Sequence, residues 1–151
     1  MTFPRLIERP LRRRLLIALC CLATGAAIAP GAARAQGPLS VQLNKLEDRE
    51  GACRAYFVFE NKTGAEFETL TLDLVIFDAA GAIAKRLAIE AAPLPAAKTR
   101  VKLFDIQGTI CADVARLLLN GVLACKSASL AAKDCAGLVE PTSRSSVAFD
   151  K

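Results

Sequence analysis

The sequence predicts an all-β fold, an immunoglobulin-like antiparallel β-sandwich of about seven strands held by disulfides. Three observations carry this. From residue 39 onward, short stretches alternate apolar and polar residues at a period of two, with turn residues between them. No segment sustains a 3.6-residue period. Four cysteines remain once an N-terminal leader is set aside, an even number that reads as two bridges in an exported chain. The length of 151 residues suits one domain.

The leader comes first. A basic segment ends in Arg12-Arg13-Arg14, an apolar stretch runs from Leu15 to Ala29, and Pro30 and Gly31 break it before Ala33-Arg34-Ala35. This is a three-part secretory signal with an Ala-x-Ala site, so residues 1–35 are expected to be cleaved and residues 36–151 to form a single β-sandwich domain. Fifteen apolar residues extend about 22 Å as a helix, short of a hydrocarbon core of roughly 30 Å, so no membrane insertion is expected after cleavage. Arg13-Arg14-Leu15-Leu16-Ile17 resembles a twin-arginine (Tat) signal without the usual preceding Ser or Thr, which leaves the Sec and Tat routes both open. Leu19 before Cys20 argues against lipidation.

The strands follow in order. Leu39 to Leu46 alternates, with Val41 and Leu43 apolar against Gln42 and Asn44. Glu47-Asp48-Arg49-Glu50 reads as a solvated loop. From Ala52 to Glu60, Cys53, Ala55, Phe57 and Phe59 share one face; Arg54, Tyr56, Val58 and Glu60 share the other. Asn61-Lys62-Thr63-Gly64 is a turn cluster that also matches a glycosylation sequon, and the turn is the expected role. Phe67 to Asp78 is a long strand with Leu70, Leu72, Leu74 and Ile76 on one face and Thr69, Thr71, Asp73, Val75 and Phe77 on the other. Asp78 precedes Ala79-Ala80-Gly81 and is placed to accept turn hydrogen bonds. Ile83 to Glu90 returns as a strand, Pro93-Leu94-Pro95 marks a loop or edge, and Thr99 to Asp105 is another strand with Val101 and Leu103 inward and Arg100 and Lys102 outward. Val114 to Cys125 is apolar but contains Asn120-Gly121, so it is either a hairpin or one strand running through that dipeptide. Ser127 to Ala136 is rich enough in Ala for one or two helical turns. Residues 141–146 read as a flexible approach to a short closing strand, Val147 to Phe149. The expected core is Phe57, Phe59, Leu72, Leu74, Ile76, Val101 and Leu103.

The cysteines expected to pair are Cys53, Cys111, Cys125 and Cys135. Three pairings are possible; Cys53–Cys111 with Cys125–Cys135 is favoured because the second pair flanks a short loop that closes locally. The successive spacings of 57, 13 and 9 residues do not match Cys-x2-Cys metal or redox motifs.

Composition excludes several chemistries. There is no His, which removes Ser-His-Asp triads, Cys-His dyads and His-ligated metals. The net charge of +5 belongs to the leader: six of the 20 basic and one of the 15 acidic residues precede Gln36, leaving 14 of each sign. The expected mature chain therefore lacks a nucleic-acid-binding footprint. Asp73 and Asp78 point to opposite faces and do not form a carboxylate pair. Ser143, Ser145 and Ser146 lack a base. No catalytic residue, cofactor site or metal site is expected.

Residues 56–105 carry a family pattern: an apolar strand ending in Glu60-Asn61-Lys62-Thr63, then Leu74-Val75-Ile76-Phe77-Asp78, Gly81, a second strand, a Pro-containing loop and Lys98-Thr99-Arg100-Val101. This resembles the bacterial immunoglobulin-like domains of the FxLYD type. Leu74 replaces the first aromatic of the naming motif, Ile76 its Leu and Phe77 its Tyr, while Asp78 is kept. The resemblance implies the fold, over about 50 residues, and the segment holding Cys111, Cys125 and Cys135 departs from it. The whole chain is also similar to uncharacterised exported proteobacterial proteins with Tat-type signals, a likeness that implies no activity.

Outward-facing Tyr56 and Val58, with Phe77, form the candidate binding face. The expected function is that of a periplasmic, non-enzymatic binding or structural module contacting an envelope protein. The alternative is a cysteine-based periplasmic redox or metal-handling protein.

Overall fold

The computed structural model describes residues 37–151, so the leader and its cleavage site lie outside the described residues. Eight strands make two four-stranded sheets. The first has the order β5-β2-β1-β7, from Thr99–Gln107, Ala52–Asn61, Leu39–Arg49 and Val139–Ser143. The second has the order β4-β3-β6-β8, from Ile83–Glu90, Thr69–Phe77, Arg116–Lys126 and Ala148–Asp150. The all-β sandwich expected from the alternation is present. Pairings are antiparallel except for β1 with β7 and β6 with β8, which are parallel, so both sheets are mixed.

The apolar pattern dictates these strands in detail. In β1, Leu39, Val41 and Leu43 face inward, but the next apolar residue is Leu46, three positions on. A register shift between Leu43 and Lys45 absorbs the slip, returning Leu46 to the inner face and turning Lys45 and Glu47 outward. The charged run is therefore not a loop. β1 extends through Arg49, and the hairpin turns at Glu50-Gly51, with Gly51 at φ 72°. In β6 the residues opposite inward Ile76, Leu74, Leu72 and Leu70 are Leu117, Leu119, Val122 and Cys125, spaced two, three and three apart. Two register shifts make this possible, one of them at Asn120. Asn120-Gly121 is thus a bulge within one strand rather than a hairpin turn, and Gly121 is not among the glycines at positive φ, which a type I′ turn would require.

β7 corrects the reading of residues 141–146 as a flexible approach. Pro141 stands opposite Val41 on an edge strand, where a missing N–H is tolerated. The serines after it close a tight turn: Ser143 Oγ donates to the Val147 carbonyl at 2.6 Å, and Ser145 Oγ accepts the Val147 N–H at 3.1 Å. Before β7, a 3-10 turn (Ala132–Asp134) leads into α1 (Cys135–Leu138), overlapping the end of the Ala-rich stretch, Ser127 to Ala136, expected to be helical.

Phe57, Phe59, Leu72, Leu74 and Ile76 are buried as expected. Phe57 lies at the centre: its ring is 6.0 Å from Phe104 in β5 and 5.6 Å, edge-on, from Phe149 in the opposite sheet. Val101 and Leu103 are not core. They are 58% and 46% exposed, and Lys102, Phe104 and Ile106 take the inner face. The antiparallel register decides this, because inward Cys53, Ala55 and Phe57 stand opposite Ile106, Phe104 and Lys102, and directly opposed residues share a face. Inward Lys102 is accommodated because its Nζ donates to the carbonyls of Glu90, at the end of β4, and Ala92, just beyond it.

The structure pairs Cys53 with Cys111 and Cys125 with Cys135, as the spacing suggests. The first bridge ties the start of β2 to the 3-10 turn after β5 (Cys111–Asp113); the second ties β6 to α1. With separations of 58 and 10 residues, restriction of the unfolded chain contributes roughly 4 and 3 kcal/mol.

The core assignment predicts that Phe57→Ala lowers stability by about 3–5 kcal/mol, whereas Val101→Thr changes it by less than roughly 0.5 kcal/mol. Denaturant melts with the disulfides intact measure both.

Candidate interaction face

Along β2, the residues between the buried phenylalanines point outward. Tyr56 stands opposite Leu103 and Val58 opposite Val101, so these four side chains form one apolar patch on the outer face of the first sheet. The sequence placed Tyr56 and Val58 there correctly. It missed Val101 and Leu103, which the register of β5 on β2 delivers. Phe77 does not join them: it lies on the outer face of the second sheet, with the Arg116 guanidinium 5.1 Å from its ring centre.

Ion pairs edge the patch on the β1 side and toward the start of β2. Arg54 holds Asp105 with two bonds, Nε to Oδ1 at 2.6 Å and Nη2 to Oδ2 at 2.9 Å. Lys45 Nζ lies 4.4 Å from the Tyr56 ring centre and 2.7 Å from Glu47 Oε2, which also accepts the Tyr56 hydroxyl at 3.1 Å. The bulge in β1 creates this arrangement by turning Lys45 and Glu47 to the face that carries Tyr56. The Arg54 hydrogen bonds hold the Asp105 carboxyl below its usual range, and those from Lys45 and then Tyr56 do the same for Glu47. The face is therefore an apolar strip beside charges already paired with one another.

The second sheet carries a polar cluster on its outer face. Asp73 was expected on that face and lies there, but it is only 2% exposed. Arg86 covers it, with Nε and Nη2 each 2.7 Å from a carboxylate oxygen, and Asn120 Nδ2 donates at 2.6 Å. The bulge at Asn120 supplies that third group. Nearby on the same sheet, Arg116 forms a two-bond pair with Asp150. Asp78 Oδ1 accepts the Ala80 and Ala82 N–H groups, the turn role expected of it. The sequon Asn61 is buried at 1% exposure, with its amide committed to backbone carbonyls.

Among the described residues no group of three or more Cys, Asp or Glu is placed to hold a metal ion, and every buried side-chain nitrogen and oxygen has a hydrogen-bond partner. No family model, curated protein or solved structure matches the chain.

The Asp73 cluster has a pH signature. Hydrogen bonds from Arg86 and then Asn120 lower the Asp73 carboxyl below its ordinary value. Its contribution to stability is complete above the unfolded value of about 3.9 and is lost as pH falls through the lowered folded value. Asp73→Asn is expected to destabilise the protein at neutral pH and to flatten the acid limb of stability below about pH 4. Urea midpoints across that range read both effects.

Proposed function

We propose that the chain is an exported, non-enzymatic module of the cell envelope that works in the periplasm through protein–protein contact. The observation that carries this reading is the strip of Tyr56, Val58, Val101 and Leu103. Four neighbouring apolar side chains on one sheet face, two of them about half exposed or more, are the kind of surface that association covers. Two disulfides fit an oxidising compartment. The Ala33-x-Ala35 site after a short apolar run fits cleavage before Gln36.

Placing a photocrosslinking residue at Leu103 in living cells tests the face, with Ile83 as control because it is an equally apolar, 68% exposed side chain on the other sheet. A discrete envelope-protein adduct is expected from position 103 and not from position 83. Equal labelling, or none, removes the basis for the reading. Thiol titration of the exported protein is expected to find no free cysteine. Thiols that bind metal or exchange with an oxidant would favour the redox alternative.

A further inference from the structure

The face has an edge, and part of the edge backbone pairs with no other strand. In an antiparallel ladder, hydrogen-bonded residue pairs alternate with pairs that do not bond each other. Asn61 N–H donates to the Lys98 carbonyl at 3.0 Å, and Gly108 N–H to the Gly51 carbonyl at 2.8 Å. Both contacts continue the β2–β5 register, so they set its phase. Arg100, Lys102, Phe104 and Ile106 turn their N–H and C=O groups toward β2. Val101, Leu103 and Asp105 turn theirs to the open side of β5, the first strand of its sheet. Gln107 belongs to this outward set, and its carbonyl is taken by Lys85 Nζ. Among the described residues no backbone group pairs with the outward groups from Val101 to Asp105.

The other three edges are less regular or shorter. β4 has a register shift at its β3 pairing, β7 has five residues and Pro141, and β8 has three residues. β5 is nine residues long, regular against β2, and contains no Pro or Gly. Its inward Lys102 does not guard the edge, because that ammonium is bound to the Glu90 and Ala92 carbonyls.

We infer that β5 is an acceptor edge: an extended segment of a partner protein, alternating apolar with acidic residues, adds to this sheet as a fifth strand along Val101–Asp105. This rests on the reading that the chain acts by protein contact. The partner's chemistry follows from Val101 and Leu103 on the outer face and Arg100 on the other. Apolar side chains of an added strand lie beside Val101 and Leu103 and cover them, while an intervening acidic side chain meets Arg100. Arg100 is exposed and takes part in none of the ion pairs among the described residues. A second copy of this chain fits badly. Pairing two β5 strands about Leu103 sets Val101 against the Asp105 carboxylate. Pairing about Lys102 opposes two lysines, and pairing about Val101 sets Arg100 against Lys102.

The test uses the exported protein and a blocked peptide of about six residues alternating valine and glutamate. Binding is expected in titration calorimetry. It should weaken at least about tenfold when alternate peptide nitrogens are methylated, and likewise when lysine replaces glutamate. Arg100→Glu should reverse the preference between the two peptides. Val101→Pro removes an outward donor and leaves the β2 ladder intact, so it should abolish binding without unfolding the chain; if it unfolds, methylation and Arg100→Glu still decide. No binding, or binding indifferent to backbone methylation, overturns the inference. If the position-103 adduct forms while the peptide fails, the edge falls and the contact function stands. If both fail, both readings fall.

Discussion

One buried amide holds together two of the five places where the described chain changes sheets. The polypeptide crosses from the first sheet to the second after β2 and returns after β4. Asn61, the last residue of β2, reaches both crossings. Its Nδ2 donates to the carbonyls of Ala65, Leu94 and Pro95, at 2.8, 3.1 and 3.2 Å, and its Oδ1 accepts the Thr63 N–H and hydroxyl. Buried loop carbonyls that lose such a partner cost about 1–3 kcal/mol each. The surrounding groups reinforce the junction. Phe67 and Leu94 exchange backbone bonds, and the Glu90 carboxylate accepts the N–H groups of Leu70 and Ala92 and the Thr71 hydroxyl. Burial, the largest single influence on Glu90, pushes its pKa up, but these bonds and the Lys102 charge outweigh it and keep the group below the usual carboxylate value.

The opposite end of β2 is closed by different means. Cys53 is the second residue of that strand, and its bridge to Cys111 fastens the segment that follows β5. Asp48 Oδ1 accepts the Cys111 N–H at 2.7 Å, so β1, β2 and the 3-10 turn after β5 converge there. A polar junction at one end and a covalent one at the other keep β2 in register. That register places Tyr56 and Val58 beside Leu103 and Val101, so the outer face is a consequence of how the interior is anchored.

Period-two alternation made the class of fold legible, and most strands with it, because burying one face of a sheet leaves few other patterns. β4 runs over Ile83–Glu90, as read, and the facing of β3 is correct. Alternation alone puts β5 in the wrong phase because Thr99–Gln107 is apolar in both: Val101 and Leu103 in one, Phe104 and Ile106 in the other. Only pairing with β2 distinguishes them, and pairing is not a local property. Asn120-Gly121 leaves hairpin and continuous strand both open for a related reason. The dipeptide bends backbone readily, and the fold uses it to shift a strand rather than reverse it. β7 was invisible because Pro141 and its serines carry no strand signal, and a parallel partner in β1 selects it. Asp73 was placed on the correct face, but its burial depends on Arg86 from the neighbouring strand and on the Asn120 bulge.

The parallel strands β7 and β8 impose an order of events. Among the described residues both follow every other strand, yet β7 pairs with β1, the first of them, and β8 closes the second sheet beside β6. A ribosome releasing the polypeptide from its N-terminus exposes β1 long before its neighbour arrives. Until then β1 has a bare side, and Phe57 lacks Phe149. Such distant pairings are slow to form. The sandwich therefore stays unfinished during synthesis until residues 139–150 are available.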